Sequence, residues 1–511
     1  MLAWLKRDRV DHPLANDKAA RKIVGAFSQR DPCKTLEEAN PWLVSINETA
    51  GFKLQRRYEL LDLIDDATRR SHERLADSYV MLPEDDPQGR RQWKAASDFW
   101  KLLGDGYLAC ARQCSAADSI PDGMRGQLPI LAARGLRALR CQLKWSLLRY
   151  SALRSEFWGE CGRFAMLAEA VDGAARTIDL FSGIQASPND ELLQLMVFWA
   201  AAPSALAPVE QDIAERLVAY LTPKLRCSAS VADAYDYFFD LDGSRPPLRL
   251  VPSAPVGPAT RFFDVGEARD TLRAIQSIVR GSGRLPAGLT LGAGAEDNVV
   301  VRVLRHMRTH WAKELPPRAA ARQKTDERLE SVQGFHNVLE LIAPGAVEGP
   351  GSTSALLNDS WIAEDVSSGG CGVIVPQGKG EGLRVGMLVA TRTQTATSWS
   401  IGIIRRVNEL NYRQHQLGIQ VLSRDALPVF LRTQTGARQG RKQECGILLS
   451  EQASPSGNLY IVMRRDLFSG REPVEATLGD VPTPLVLQAG GLLESGHDFD
   501  WLYFKAPGQA D

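Results

Sequence analysis

The chain has no apolar run long enough to cross a membrane as a helix; its longest, Leu192 to Val209, is broken by Gln194, Ser204, Pro203 and Pro208. Neither charge is in excess. Lys plus Arg and Asp plus Glu both total 61 in 511 residues, so no global field steers the protein to nucleic acid or an anionic membrane, and attraction for an anion has to be local. Cysteine is sparse and unpatterned: residues 33, 110, 114, 141, 161, 227, 371 and 445 form no CxxC pair, which excludes a disulfide scaffold and reads as reduced cytoplasmic thiols. Cys110 and Cys114 lie one helical turn apart with no second ligand pair, so half-buried thiols outweigh a zinc site. The N-terminal stretch MLAWLKRDRVDHP lacks the apolar core and small-residue cleavage site of a signal peptide. Also missing are a GxSxG elbow and a GxGxxG opening a helix, so an enzyme has no constellation to rest on. What is there is an ordinary globular composition, 44% hydrophobic and 24% charged, sufficient for about two to four domains with cores of their own.

From about residue 15 to 312 apolar residues recur every three or four positions, as helices packed on one face require. Leu54, Tyr58, Leu61, Ile64, Ala67 and Leu75 form one stripe, and Leu128, Leu131, Leu139, Leu143, Leu147 and Tyr150 another. Breaks at PEDDPQG, SIPDG, SPND and DGSRPP predict about seven to ten helices. Trp100, Leu103, Gly104 and Tyr107 match the first-helix pattern of a tetratricopeptide repeat once, without a copy 34 residues on, so a bundle with a chance motif competes with a helical-repeat domain. The expected organisation is an α-helical domain over 1–243, then a Pro/Gly-rich crossing with two further helices over 244–314.

Near Arg328 the period changes. Short alternating runs such as GCGVIVP, VGMLVATRT, SWSIGIIRRV and HQLGIQVL, bounded by Gly, Pro and Asn, predict a small antiparallel barrel or sandwich. We assign it to 315–432, with a β-rich extension over 433–511 that either continues the barrel or forms a second β unit. The fold class expected is therefore multidomain α plus β, an all-α bundle or helical-repeat domain followed by a β-barrel.

The clearest local charge excess falls between Arg302 and Arg328, with eight Lys or Arg against three acids. Downstream, Asp365-Val-Ser367-Ser-Gly-Gly370 lies between two apparent strands, where Asp, Ser and Gly suit a tight turn. Arg318-Ala-Ala-Ala-Arg322, then Asp365-x-Ser367-x-x-Gly370, then the strands from Trp399 and Leu417 resemble, in order, the RxxxR and [D/N]xSxxG elements of the PilZ domain family over roughly 315–430.

That resemblance implies a six-stranded barrel that binds the bacterial second messenger cyclic di-GMP, with Arg318, Arg322, Arg328, Asp365, Ser367 and Gly370 as the ligand-binding residues. The residue types suit such a ligand. A guanidinium fork pairs with the O6/N7 edge of guanine or clamps phosphate, and a carboxylate accepts from guanine N–H donors. The arginine register stays open between Arg318/Arg322 and the degenerate pair Lys324/Arg328. Arginines beside Asp365 and Ser367 would favour a receptor, and arginines in a distant helix a scaffold.

Other constellations point elsewhere. His306 and His310 share a helical face but lack the Glu of HExxH, so a packing pair outweighs zinc. Gly378-Lys379-Gly380 resembles the end of a phosphate loop but has Gly where Ser or Thr should follow, and reads as a hairpin turn. The function expected is a cytoplasmic, non-enzymatic cyclic di-GMP receptor with no cofactor, no nucleic-acid polymer and no membrane span, signalling through its helical domain to a protein partner in control of motility, adhesion or exopolysaccharide. The alternative is a helical scaffold with a degenerate barrel that binds no nucleotide.

Overall fold

The computed structural model describes residues 10–83, 86–116, 122–231, 235–315, 317, 320–346, 359–376, 382–410, 414–433, 443–450, 458–467, 473–478 and 484–505. The chain divides into two compact units, residues 1–203 with 208–316 and residues 204–207 with 317–511.

The first unit is built from α1 (Asp17–Gly25), α2 (Pro32–Glu48), α3 (Leu54–Tyr79), α4 (Pro87–Ala116), α5 (Asp122–Arg125), α6 (Leu128–Leu147), α7 (Phe157–Glu169), α8 (Pro188–Ala200), α9 (Pro208–Leu221), α10 (Gly266–Arg280) and α11 (Asp297–His310). Local sequence starts several of them. The Asp31 side chain accepts from Lys34 N ahead of Pro32, and Ser187 and Asp190 form a reciprocal capping box on α8. Their lengths run from 4 to 30 residues, so they do not form an array of equal repeats. The small residue of the Trp-x2-Leu-Gly-x2-Tyr motif serves one close approach: a Cβ at Gly104 would lie 2.3 Å from Gln142 Nε2, which donates to the Trp100 carbonyl at 3.0 Å.

At the centre, α6 buries cations as well as leucines. Arg137 donates to Asp65 at 2.9 Å, Arg140 to Glu191 at 3.1 Å and Glu215 at 2.8 Å, and Lys144 meets Asp212 and Glu215 at 2.6 Å each. Burial alone would raise the Asp212 and Glu215 carboxyls, but the Lys144 ammonium, with Arg216 and Arg140 beside them, overrides it and holds both below the ordinary range. His306 and His310 are a packing pair, ring centroids 4.3 Å apart, with His306 Nε2 at 2.7 Å from the Ala201 carbonyl oxygen.

The helical reading of 15–312 needs one correction. Six short strands interrupt it: the hairpin β1 (Ile178–Phe181) and β2 (Ile184–Ala186), and a sheet of β3 (Arg226–Ser228), β4 (Tyr237–Asp240), β5 (Leu248–Arg249) and β6 (Thr260–Asp264) in the order β3-β6-β4-β5. Strands of two to five residues carry too little alternation to stand out against helical periodicity. Two of them lie in the Pro-rich stretch read as a crossing.

The second unit begins with β7 (Gln323–Lys324), β8 (Arg328–Gln333), α12 (Phe335–Ile342), β9 (Asp359–Ser367), β10 (Gly370–Val375), β11 (Leu388–Thr393), β12 (Ser400–Glu409) and β13 (His415–Ser423). Six of the strands close a ring in the order β8-β9-β10-β13-β12-β11, and β7 pairs onto β9. The chain continues through β14 (Ala426–Thr433), β15 (Gln443–Leu449), β16 (Asn458–Arg464), β17 (Val474–Leu478), β18 (Leu485–Ser495) and β19 (Phe499–Lys505). These close a second barrel in the order β14-β15-β16-β19-β18-β17, the strand order of the first repeated position for position. The boundary read at 432 therefore moves: β14, assigned from sequence to the first barrel, joins the strands of the 433–511 extension in a second closed ring, because strand alternation alone does not show which ring a strand closes.

Helix α12 joins the two barrels. Its Phe335, Val338 and Leu339 share a core with Leu388, Ile401 and Ile403 of the first barrel and Ile447, Val462 and Phe499 of the second. No side chain at Gly334 caps this helix, and Asp498 of the second barrel does so instead, accepting from Phe335 N at 2.7 Å. Among the described residues no helix is long and apolar enough to cross a membrane.

Candidate functional site

Strand alternation decides which residues of β9 face outward. Trp361 and Ala363 are buried inside the first barrel, and Ala363 pairs with the buried Val373. A bulge follows, and beyond it Asp365 pairs with Gly372 and Ser367 with Gly370, on the outer face. Ser368 and Gly369 make the turn. Ser367 Oγ donates to the Gly370 carbonyl at 3.1 Å, and Val421 N of β13 donates to the Gly369 carbonyl at 3.1 Å.

Two glycines here have steric reasons. A Cβ at Gly370 would lie 2.4 Å from the Ile419 carbonyl oxygen, and one at Gly372 would lie 2.9 Å from Asp365 Oδ1. Gly372 N donates to that same carboxylate oxygen at 3.1 Å. On β13, Gly418 pairs with Gly372 and Gln420 with Gly370, so three glycines floor the outer face, Gly372 buried beneath the Asp365 carboxylate and Gly370 and Gly418 half-buried.

Cations border that floor. Arg322, in the extended segment before β7, donates through Nη1 to both carboxylate oxygens of Asp365, at 2.9 and 3.1 Å. Lys324 pairs with Asp365 along the backbone of β7 and β9. Arg328 opens β8 opposite Ile362, further along β9, and is exposed. Arg318 lies outside the described residues, as does the Gly378-Lys379-Gly380 stretch read from sequence as a hairpin turn. The structure therefore brings Arg322, Asp365, Ser367 and Gly370 together and sets Arg328 further along the strand.

Four further residues complete the face. Arg406 lies opposite Gly418 and is exposed, and Arg405 Nε donates to Gln420 Oε1 at 2.8 Å. Arg424 Nη2 donates to the carbonyls of Ser367 and Ser368, at 3.4 and 3.2 Å. Gln416, Gly418 and Gln420 were legible in the alternation of HQLGIQVL; Arg405 and Arg424 had no such signal, since a bulge and a two-residue connection place them. Cys371 faces inward, and burial first, then Asp365, push its thiol up to about 11 against Arg322, so it is no reactive thiolate. Chemically, a glycine-lined face flanked by guanidinium groups and one carboxylate suits a planar, N–H-bearing ring attached to anionic groups.

Residues 18–232 match the family model described as the N-terminal domain of the cyclic-di-GMP receptor FimW, and residues 359–428 match the model for its middle PilZ domain. Together the two stretches cover more than half of the chain. The second includes Asp365, Ser367 and Gly370 and begins after Arg322 and Arg328. No curated protein matches the chain.

Proposed function

Because the chain belongs to the cyclic di-GMP receptor family, a family of binding proteins rather than enzymes, we propose that it binds cyclic di-GMP on the outer face of its first barrel. The observation that carries this reading is the meeting of Arg322 with Asp365 beside the Ser367–Gly370 turn. Asp365 accepts from the guanine N1 and N2 donors, and Gly370 lets the base approach the backbone. Arg322, with Arg318 on the same segment, forks onto the guanine O6/N7 edge or a phosphate, and Ser367 donates to phosphate or base. Arg328 supplies charge from the start of β8, opposite Ile362 of β9. A scaffold with a degenerate barrel has no need of an arginine held at this turn.

Ligand entry redirects the Arg322 guanidinium from Asp365 to the nucleotide and orders the segment ahead of β7, and the helical unit passes the signal to a protein partner. We place the protein in the cytoplasm, a reading supported by its eight free cysteines. Amide hydrogen exchange with and without cyclic di-GMP tests the assignment. Protection is expected over 320–326 and 365–372, and protection confined to other segments would remove this face as the site.

A further inference from the structure

The motif residues account for one side of the glycine floor. On the other side stands Arg405, and its partners divide between the two barrels. Its Nε donates to Gln420, the cross-strand neighbour of Gly370, at 2.8 Å. Its two terminal nitrogens fork onto Glu494 of β18 in the second barrel, at 2.5 and 2.7 Å. The cause is local: a register shift between Ile404 and Arg406 leaves Arg405 in a bulge, which re-aims its side chain. Arg405 is 34% exposed and Glu494 19%, so the pair is half-buried and open to water on one side.

We propose that Arg405 is a second anion clamp for the nucleotide and a latch between the barrels. It is held by Glu494 when the face is empty and shared with a ligand phosphate when it is filled. The inference rests on the cyclic di-GMP reading above. Neighbouring strands lie about 4.8 Å apart, so β12 stands roughly 10 Å from Gly370 across β13, a span comparable to a cyclic dinucleotide lying on the floor. Glu494 competes with the ligand for one guanidinium fork, and an equilibrium moves only by the differential affinity of the two states. By reciprocity, loosening the latch tightens the ligand, and the ligand loosens the latch.

The test is calorimetric titration of cyclic di-GMP into the full chain and its Glu494→Gln, Arg405→Ala, Arg405→Lys and Arg405→Ala/Glu494→Gln variants, each checked for folding by circular dichroism. A half-buried ion pair at the rim is a modest competitor, so Glu494→Gln should bind roughly fivefold more tightly than wild type. Arg405→Ala should bind about tenfold more weakly, Arg405→Lys should fall between it and wild type, and the double variant should match Arg405→Ala. Affinities of Glu494→Gln and Arg405→Ala both within twofold of wild type would overturn the clamp while leaving the binding reading intact. A gain in Glu494→Gln that persists in the double variant would overturn the latch, because the gain would not pass through Arg405. Absence of binding by the folded wild-type chain would remove the binding reading and this inference with it.

Discussion

Arg322 holds both carboxylate oxygens of Asp365 through one guanidinium nitrogen, at 2.9 and 3.1 Å, across the junction of β7 and β9. Both residues therefore have a partner before any nucleotide arrives, and the pair keeps each aimed over the glycine floor. Arg322→Ala and Asp365→Ala should each weaken cyclic di-GMP binding by about 1–3 kcal/mol, roughly fivefold to 150-fold. The double variant should lose less than the sum, since the two act as one unit. Arg322→Lys should not restore the loss, because an ammonium lacks the planar fork. Titration of these four variants and of Lys324→Ala reads all of this; an Arg322→Ala protein at wild-type affinity with Lys324→Ala impaired would shift the clamp to Lys324 and Arg328.

Gly370 and Gly372, both on the proposed binding face, differ in what an added methyl would strike. Gly370→Ala drives a methyl against the Ile419 backbone, where nothing flexible can yield, and should cost about 1–3 kcal/mol of stability by denaturant unfolding. Gly372→Ala meets a side-chain oxygen of Asp365 instead. It should cost less stability and displace the carboxylate, so its effect should appear in ligand affinity. Equal stability losses with unchanged affinity in both variants would contradict the assigned roles.

The buried cations of α6 predict an acid response. The Asp212 and Glu215 carboxyls are held below their ordinary values of 3.8 and 4.5, so their contribution to stability is present above those values and is lost as pH falls below them. Lys144→Met leaves the two carboxylates short of a counter-ion in a buried site and should destabilise the helical unit by about 3–5 kcal/mol at neutral pH. The deficit relative to wild type should shrink as pH approaches 4, where protonation relieves the unpaired charge. Urea unfolding at several pH values measures it, and a deficit independent of pH would contradict the network.

Asp498→Ala removes the cap that the second barrel places on α12. It should cost about 0.5–2 kcal/mol and lower the unfolding midpoint of the second unit, with little effect on the first. Circular dichroism near 218 nm and 222 nm follows the two kinds of structure, and an unchanged midpoint would show that the apolar core around Phe335 and Phe499 holds the barrels without it.

Much of this architecture was legible beforehand, for physical reasons. Long helices such as α3 and α6 repeat their period often enough to be read, and the change from a 3.6-residue to a two-residue period marked the passage into the barrels. Asp365, Ser367 and Gly370 could be found because one turn brings them together within six residues. The sheet of β3 to β6 could not, its strands being too short to show a period. Nor could sequence show that residues from Ala426 onward close a second ring, since identical alternation serves an extension or a new barrel. Arg405 escaped because a bulge aims it and its partner Glu494 is 89 residues away.

The measurement nearest the central claim is equilibrium titration of the full chain with cyclic di-GMP, using GTP and cyclic di-AMP as controls. The account predicts binding at micromolar concentration or tighter for cyclic di-GMP, and at least about tenfold weaker binding of cyclic di-AMP, which lacks the N1 and N2 donors that Asp365 accepts. A folded protein that binds none of the three, or binds both cyclic dinucleotides equally, would contradict it.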